Sequence, residues 1–330
     1  MAGMKAIVCH RYGGPEMLQV EDVEKPAPGD GEVLIQVRAA ALNALDWHLL
    51  RGHPPLFRLM SGLRRPKHSR PGHDVAGRVE SVGRAVTRFR PGDDVFGLCR
   101  GALAEYAVTK ESSLAAKPAN VSFEEAAAVP VAGLTALQGL RDAARIQPGQ
   151  RVLINGATGG VGTFAVQIAK SLGADVTAVC GARNVELVHS IGADRAVDYG
   201  REDFTRSGVR YDVIYDLVAN HSFLACRRAL VPRGMLVPAG LGGADGRKAI
   251  RRLARAPIGA LVARFVGQKM VFYMTRQNQA DLVTLAGLLA SQEVKSVIDS
   301  RHRLRESSDA FRRLATGHAS GKIVVMVEGG

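Results

Sequence analysis

The sequence predicts an α/β protein in which a β-rich first domain is followed by a doubly wound parallel sheet. In the first third of the chain, short runs rich in Val and Ile are separated by turns that contain Gly and Pro, a pattern typical of compact β structure. Strand-like and helix-like segments alternate further on, which indicates a parallel sheet with helices on both faces. A glycine-rich turn joins the first strand of this second region to its first helix.

Length and composition define the broad class of the protein. The chain has 330 residues, of which 46% are hydrophobic and 23% charged, so two globular domains with separate cores are expected. No apolar run approaches the roughly 20 residues that a membrane-spanning helix needs, and residues 1–12 lack the features of a signal peptide. We therefore expect a cytoplasmic protein without a transmembrane segment.

The four cysteines lie far apart in the chain and show no pairwise spacing. This distribution argues against a disulfide framework and against a cysteine-rich zinc lobe. Cys9 and Cys180 stand within apolar, strand-like runs, where cysteine usually serves as a small buried side chain.

The net charge of +13 permits binding to nucleic acid, because a basic surface attracts phosphates without sequence preference. The charges are mostly dispersed, however, and no zinc-finger or RNA-recognition signature is present. Attraction of an anionic dinucleotide explains the charge equally well. We expect no nucleic-acid partner.

One segment concentrates the positive charge. From Arg247 to Arg276 there are eight Lys and Arg residues and no acidic residue. The pattern favours a solvated pair of basic helices interrupted at Pro257. A surface for anionic lipid or for an acidic partner is the alternative interpretation.

The β-rich region contains three segments with the composition of strands, at Ala6–His10, Glu32–Ala40 and Val75–Val82. Turns with Gly and Pro separate them, at residues 13–15, 28–31, 71–72 and 91–93. This spacing predicts a compact, partly barrel-like β domain.

The pattern changes at Ser122, which with Glu125 forms a capping-box sequence ahead of the apolar segment Ala126–Leu140. The strands predicted beyond it are Arg151–Asn155, Asp175–Cys180, Tyr211–Val218, Gly234–Ala239 and Lys269–Met274. The predicted helices are Gly160–Leu172, Arg183–Ile191 and His221–Leu230. The remainder, Ala280–Glu328, contains two helical patterns and a terminal strand at Lys322–Val327.

The strongest local signal is the turn between the first of these strands and the first of these helices. Glycines at 156 and 159 let the backbone turn tightly and approach a diphosphate, while the helix start offers N–H groups and a favourable dipole. Gly162 allows the helix to pack close to the strand. The predicted diphosphate-binding residues are Gly156, Ala157, Thr158, Gly159, Gly160, Val161 and Gly162. A glycine-rich loop without a ligand is the alternative, which the flanking strand and helix disfavour.

The end of the second strand indicates which dinucleotide is bound. Enzymes that use NAD usually place an acidic residue there for the ribose hydroxyls, but none occurs from Val176 to Val185. The chain instead continues Cys180-Gly181-Ala-Arg183, and an arginine can bind a 2′-phosphate. This predicts NADPH as the cofactor. The alternative is that Arg183 is simply an exposed residue at a helix start.

Several segments, in order along the chain, resemble the medium-chain dehydrogenase/reductase superfamily. They are residues 71–83, 91–97, 101–106, 128–130 with 133–136, the glycine-rich turn, and residues 321–325. The resemblance implies a GroES-like catalytic domain at residues 1–126, completed by residues 276–330, and a Rossmann domain at residues 127–275. It also implies an active site in the cleft between the two domains, and a homodimer.

The resemblance also bears on zinc, which members of the superfamily bind through a Cys, a His and a further Cys or Asp. These positions fall on Asn43, His73 and a site near Val131, and only Cys99 lies where a structural four-cysteine lobe would be. One ligand of three cannot hold a catalytic zinc, so no metal is expected. His73 is then interpreted as a cleft histidine paired with a polar group, and a residual metal site is the alternative. His48 stands at the proton-relay position of alcohol dehydrogenases, but Leu45 replaces the hydroxyl residue that would link it to substrate.

The segment Asn43-Ala-Leu-Asp46 resembles the Asn-Pro-x-Asp signature of the zinc-free quinone oxidoreductases, with Ala44 in place of Pro. By this resemblance Asn43, Asp46 and Thr135 are the catalytic candidates. Beyond the glycine-rich turn, it implies cofactor contacts from Asn43, Thr135, Cys180, Gly181, Arg183, Tyr199, Asp216, Val218, Ala239, Gly240 and Lys322. Candidates for the acceptor pocket are Trp47, Phe57, Leu98 and Tyr273. Ordinary packing is the competing interpretation for Thr135, for Tyr199, for the strand ends at residues 216–218 and 238–240, and for the pocket residues.

The expected chemistry is hydride transfer from NADPH to a small acceptor that is already electrophilic, a quinone or an α,β-unsaturated carbonyl compound. One alternative is an enoyl-thioester or enone reductase. Some of these use a Tyr just after the Asn/Asp signature, where this chain has Arg51-Gly-His-Pro-Pro55. The other alternative is a non-catalytic NADPH-binding sensor, because fold alone does not determine function.

Overall fold

The computed structural model describes residues 3–53, 55–239 and 267–327. The chain divides into two compact units. Unit 1 comprises Met1–Leu134, Gln277–Gln292 and Ser296–Gly330, and unit 2 comprises Thr135–Arg276 and Glu293–Lys295. The chain first passes from unit 1 to unit 2 between Leu134 and Thr135, within a helix. The sequence predicts this domain boundary a few residues earlier, between residues 126 and 127.

Unit 1 is built around two β-sheets. A hairpin of β1 (Gly3–Val8) and β2 (Gln19–Glu24) forms a two-stranded antiparallel sheet. The larger sheet has seven strands in the order β14-β15-β3-β4-β5-β7, with β6 also paired to β3. Its strands are β3 (Glu32–Leu42), β4 (Asp74–Val82), β5 (Asp94–Leu98), β6 (Tyr106–Lys110), β7 (Leu114–Ala116), β14 (Ile298–Arg303) and β15 (Lys322–Met326).

The long strand β3 organises this sheet, because it pairs with β4, β6 and β15. Its apolar side chains Val33, Ile35 and Val37 are fully buried. The strand β15 near the C-terminus therefore packs beside strands from the first third of the chain. The predicted strands Glu32–Ala40, Val75–Val82 and Lys322–Val327 are confirmed, whereas β5, β6, β7 and β14 have no counterpart in the sequence prediction.

Six helices of unit 1 are described. They are α1 (Ala44–Arg51), α2 (Leu56–Ser61), α3 (Phe123–Ala127), α4 (Pro130–Leu137, which ends in unit 2), α8 (Gln279–Ala290) and α9 (Ser307–Ala315). The predicted capping box at the start of α3 is confirmed. The Ser122 hydroxyl accepts from the Glu125 N–H at 3.2 Å, and the Glu125 carboxylate accepts from the Ser122 N–H at 2.8 Å.

Unit 2 is a six-stranded parallel sheet in the order β10-β9-β8-β11-β12-β13. Its strands are β8 (Arg151–Asn155), β9 (Asp175–Cys180), β10 (Arg195–Asp198), β11 (Tyr211–Asp216), β12 (Leu230–Pro238) and β13 (Lys269–Met270). The described helices are α5 (Gly160–Ser171), α6 (Val185–Ser190) and α7 (Phe223–Arg228). The parallel sheet with crossover helices is the architecture that the sequence predicts.

The order of these strands creates a reversal in the middle of the sheet. From β8 the chain builds outward through β9 and β10, then returns to place β11 on the other side of β8. Open parallel sheets bind ligands at such a point, beyond the carboxyl ends of the strands on either side. Both strands there are buried on their inner faces by apolar side chains, among them Leu153 and Ile214.

The sequence prediction fails in a few places in unit 2. The short strand β10 was missed. The strand predicted at Lys269–Met274 is confirmed only at Lys269–Met270, and the predicted Gly234–Ala239 strand begins earlier, at Leu230. Gly240 and most of the basic segment Arg247–Arg276 lie outside the described residues. No helix in the described ranges combines the length and apolar character that a membrane span requires.

Candidate functional site

The glycine-rich turn connects the end of β8 to the start of α5, at the reversal point of the sheet. Gly156 has φ of +88°, a conformation that side chains with a Cβ rarely adopt. A Cβ on Gly162 would lie 2.1 Å from the Gly156 carbonyl oxygen, so the turn and helix can pack this closely only with glycine there. The folding of the turn itself therefore requires these two glycines.

Gly159 differs from the other two glycines. It is the N-cap residue of α5, with φ of −73°, and a Cβ there would meet only the Gly156 oxygen at 3.6 Å, an ordinary contact. The fold would accept a side chain at this position. Because glycine has no side chain that could accept a hydrogen bond, the N–H groups in the first turn of α5 have no side-chain cap. These features leave room and donors for an anion.

Asp216 organises the other side of this reversal point. Its carboxylate oxygen Oδ1 accepts from the Asn155 side-chain amide at 2.8 Å and from the N–H groups of Val218 and Ala219 at 3.1 and 3.0 Å. The Val218 side chain borders the glycine turn, at 2.7 Å from a Cβ built on Gly156. Asp216 thus holds the end of β11 in shape, and its predicted contact with ribose stays a prediction.

The far edge of the predicted nucleotide site lies at the ends of β9 and β10. Cys180 ends β9, and its carbonyl accepts from the Tyr199 N–H at 3.0 Å. The Tyr199 hydroxyl lies 3.1 Å from a Cβ built on Gly181, and 60% of the Tyr199 side chain is exposed. Arg183 is exposed on the short helical turn that follows. The structure thus brings Gly181, Arg183 and Tyr199 to one edge, and their contact with a cofactor stays a prediction.

Cys180 itself is buried, and burial raises the pKa of its thiol, with the charge of Asp198 acting in the same direction. All four cysteines are buried and unpaired by disulfides. The thiol of Cys180 is therefore a packing group, as predicted.

Thr135 occupies a corner of unit 2 where two tyrosines meet. Its carbonyl oxygen accepts from the hydroxyl groups of Tyr215 at 3.0 Å and Tyr273 at 2.7 Å, and the two hydroxyl oxygens are 2.6 Å apart. The helix widens into a π-helical turn just beyond, at Gln138–Ala143, which is frequent at functional sites. A Cβ at position 139 would lie 2.5 Å from the Tyr273 hydroxyl oxygen. Glycine at this position avoids that clash. Tyr273, predicted for the acceptor pocket, thus uses its hydroxyl to hold Thr135.

In unit 1, three polar side chains meet in the interior at the end of β3. Lys322 donates from Nζ to the Asn43 side-chain oxygen at 2.6 Å and to Asp74 Oδ2 at 2.9 Å. Asn43 Nδ2 donates to the same Asp74 oxygen at 2.9 Å. Only 8%, 0% and 3% of Asn43, Asp74 and Lys322 are exposed. We call these three residues the lysine cluster.

The strand register explains why these residues meet. Asn43 directly follows β3, while Asp74 begins β4 and Lys322 begins β15. Because β4 and β15 run antiparallel to β3 on its two sides, both begin where β3 ends. Asp74 also accepts from the Val131 N–H at 2.9 Å. Burial raises the pKa of Asp74, an effect that the Lys322 charge and the hydrogen bonds oppose.

A second polar pair adjoins this cluster. Asp46 Oδ2 accepts from the Asn43 N–H at 2.8 Å, which caps the start of α1, and Asp46 Oδ1 lies 2.6 Å from His73 Nδ1. The Asp46 side chain is buried, whereas 25% of the His73 side chain is exposed. Burial lowers the pKa of His73, but the charge and hydrogen bond of Asp46 and the charge of Asp74 together raise it, so the pKa lies above its ordinary value. The structure thus agrees with the interpretation of His73 as a histidine paired with a polar group.

The side chains at the predicted zinc-ligand positions do not fit a zinc ion. Asn43 is held by Asp74 and Lys322, the position near Val131 offers no donor side chain, and His73 Nδ1 is bonded to Asp46. Burial strongly raises the pKa of the Cys99 thiol, which opposes the thiolate form that binds metal. Across the described ranges, no group of three or more His, Cys, Asp or Glu side chains is arranged to hold a metal.

The other predicted residues take varied places. Trp47 is buried in α1 beneath the Arg51 guanidinium, and Leu98 is half-buried at the end of β5. The buried Ala239 donates its N–H to the Asp216 carbonyl at 2.9 Å. The side chain of Phe57 lies outside the described part of the structure. His48 is buried, with Nδ1 2.9 Å from the His53 carbonyl oxygen.

Sequence reasoning missed Asp74 and Tyr215. Asp74 stands beside His73 in a segment that carries the family resemblance, but nothing local shows that it pairs with a lysine 248 residues away. Tyr215 lies in the middle of an apolar strand, and its position alone indicates core packing rather than support of Thr135.

Replacing Lys322 by Met should destabilise unit 1 strongly, because it leaves the Asp74 carboxylate buried without its ammonium partner. Removing one partner of a buried ion pair costs about 3–5 kcal/mol, which urea denaturation would measure. Lys110→Met, at an exposed position on β6, is the matched control and should change stability little. A loss for Lys322→Met no larger than the control's would contradict the cluster's structural role.

Two family models match the chain. "Alcohol dehydrogenase GroES-like domain" matches residues 29–119, and "Zinc-binding dehydrogenase" matches residues 191–325. The first lies within unit 1, and the second spans parts of both units.

Individual relatives match along almost the whole chain. A chloroplastic quinone-oxidoreductase homolog of Spinacia oleracea is 36% identical over 98% of each chain. A chloroplastic NADPH-dependent alkenal/one oxidoreductase of Arabidopsis thaliana is 33% identical over 98% of this chain and 79% of its own. The solved quinone oxidoreductase from Coxiella burnetii is 29% identical, with a TM-score of 0.87 over 99% of this chain and 100% of that one.

Proposed function

Because the chain belongs to the medium-chain dehydrogenase/reductase superfamily, in its quinone oxidoreductase branch, we propose that it is an NADPH-dependent, zinc-independent reductase. Its acceptors are small quinones or α,β-unsaturated carbonyl compounds, in keeping with the names of its relatives. The observation that carries the proposal is the glycine turn at the sheet's reversal point, with Arg183 and Tyr199 at its far edge. The cytoplasmic location and the homodimer stay predictions.

The turn supports binding of a diphosphate through its backbone. Gly156 and Gly162 are required by the fold, but glycine at 159 is not, and its missing side chain leaves the start of α5 open to a close ligand. The twelve-residue helix α5 directs its N–H groups and the positive end of its dipole toward the same place. The dinucleotide's charge would be neutralised there without a charged side chain.

The edge formed by Arg183 and Tyr199 supports NADPH over NADH. An exposed guanidinium can form charge-assisted hydrogen bonds with a 2′-phosphate, and the exposed Tyr199 ring offers a flat surface beside it. The acidic residue at this edge, Asp198, accepts from the Gly200 N–H at 3.0 Å and lies 3.6 Å from the Arg201 guanidinium. Its carboxylate is therefore engaged within its own turn rather than presented to a ribose.

When bound, NADPH would supply the hydride that reduces the acceptor. Thr135, with its carbonyl fixed by two tyrosine hydroxyls, is the residue of unit 2 proposed to orient the nicotinamide. Asn43 is proposed to orient the acceptor oxygen or the nicotinamide carboxamide. Its Nδ2 carries two hydrogens and donates one of them to Asp74, which leaves the other for a ligand.

Lys322 and Asp74 prepare the Asn43 side chain for this role. The Lys322 ammonium draws electrons toward the Asn43 side-chain oxygen, which makes the amide N–H a better donor through hydrogen-bond cooperativity. Asp74 fixes the amide orientation, because only Nδ2 can donate to a carboxylate and only Oδ1 can accept from Lys322. The side chain is thereby held in one orientation before any ligand arrives.

Steady-state NADPH oxidation with a quinone, an enone and an enoyl-thioester as acceptors tests the proposed function. We expect turnover with the quinone and the enone, and faster turnover with NADPH than with NADH. Turnover restricted to the thioester would identify an enoyl-thioester reductase. Tight NADPH binding without turnover on any acceptor would instead support a non-catalytic sensor.

Arg183→Ala should weaken NADPH binding about tenfold or more, since a hydrogen bond to a charged group contributes about 1.5–3 kcal/mol. NADH lacks the 2′-phosphate, so its affinity should change little. Fluorescence titration with both cofactors would measure this difference. Arg228→Ala, at an exposed position on α7, is the matched control. Equal losses for NADPH and NADH would reject the phosphate role of Arg183.

Metal analysis of the purified protein should find no stoichiometric zinc, because Asn43 and His73 at the zinc-ligand positions are engaged by Asp74, Lys322 and Asp46, and the position near Val131 has no donor side chain. Added zinc should also leave the thermal unfolding temperature unchanged, since an ion that does not bind the native state cannot stabilise it. One tightly bound zinc per chain would overturn this part of the proposal.

A further inference from the structure

The segment from Trp47 to His73 has an unusual charge composition for so long a stretch. It contains six Lys and Arg residues and four of the nine histidines, but no Asp or Glu. All of it lies in unit 1. It is separate from the basic segment Arg247–Arg276 noted in the sequence. Trp47 and Phe57, near its start, are candidates for the acceptor pocket, but the proposed reaction gives no role to its cations.

The structure folds the middle of this segment into a closed loop at the end of α2. The Gly62 N–H donates to the Arg58 carbonyl at 2.8 Å, and the Lys67 N–H donates to the Ser61 carbonyl at 2.7 Å. The hydroxyl of Tyr12 fixes the base of the loop through the Gly62 carbonyl at 2.6 Å. We call residues 59–67 the basic loop. The hydrogen bond from Tyr12 anchors the base of this loop to the rest of unit 1. The far end of the loop, which we call its rim, is exposed to solvent.

The rim combines exposed apolar and cationic side chains. Leu59 and Leu63 are 65% and 67% exposed, far more than an average leucine. Arg64, Arg65 and Lys67 are exposed as well. In contrast with many surface cations of the chain, such as Lys5 and Lys25, which form ion pairs, these three have no ion pair within the described ranges.

We propose that the basic loop docks the protein on a membrane surface that contains anionic phospholipids. Arg64, Arg65 and Lys67 would meet the lipid phosphates, while Leu59 and Leu63 enter the boundary between headgroups and acyl chains. Basic clusters beside exposed apolar side chains bind such interfaces through both effects together. A nucleic acid would satisfy the cations but would leave the two leucines in water.

Membrane docking goes beyond the proposed function. Only its expected benefit, access to quinones dissolved in the membrane, rests on that function. Apolar quinones partition into bilayers, so a reductase docked at the membrane surface would meet its acceptor where the acceptor is concentrated. Membrane docking itself can be measured without turnover. A failure of docking is thus distinguishable from a failure of the proposed activity.

Flotation with lipid vesicles tests the docking. Wild-type protein should bind vesicles of phosphatidylcholine with phosphatidylglycerol much more tightly than vesicles of phosphatidylcholine alone, and added salt should weaken that binding. Each basic residue near an anionic surface strengthens partition by about fivefold. The triple variant R64E/R65E/K67E should therefore lose about a hundredfold or more in partition.

The matched control is R228E/R233E/K269E, which changes the net charge equally at exposed positions of unit 2 and should keep its binding. A second variant, L59S/L63S, should reduce the binding that persists at high salt. All variants should keep the wild-type rate of NADPH oxidation with a water-soluble quinone. Equal binding to neutral and anionic vesicles, or equal losses in the two triple variants, would overturn the proposal.

Discussion

The buried contact among Asp74, Lys322 and Asn43 is the interaction on which the candidate site of unit 1 depends. It joins the starts of β4 and β15 to the residue that leads from β3 into α1, and Asp74 also holds the start of α4. A carboxylate and an ammonium removed from water are tolerated only when their geometry is good and their remaining hydrogen bonds are satisfied. These residues meet that condition, since each of them has at least two partners in the structure.

This dependence gives the site its particular chemistry. Where zinc-dependent members of the superfamily place metal ligands, this chain has a fixed amide and a histidine bonded to a buried carboxylate. Lys322 and Asp74 together fix the orientation of that amide. A site of this kind orients a ligand through hydrogen bonds and suits an acceptor that is already electrophilic, which agrees with the proposed quinone or enone.

In unit 2 the candidate site is shaped mainly by the backbone rather than by a buried ion pair. The glycines at 156 and 162 let the helix start lie against the strand ends, and Asp216 shapes the neighbouring turn. The hydroxyl groups of Tyr215 and Tyr273 hold the Thr135 carbonyl, just before the π-helical turn. In both units the predicted ligand-facing residues are held by partners that do not themselves need to contact a ligand, and such support is what keeps a site ready for binding.

The sequence alone determined the features that follow from residues adjacent in the chain. The glycine-rich turn, the lack of an acid near Arg183 and the replacement of cysteine by Asn43 each depend on a few neighbouring positions, and local periodicity located β8 and β9 to the residue. The short strand β10 escaped detection because four residues carry too little periodic signal. Only the tertiary structure decided that Lys322 pairs with Asp74, and that the Tyr273 hydroxyl supports the Thr135 carbonyl. Such contacts join residues distant in the chain, and their existence follows from strand order and register, which no local pattern specifies.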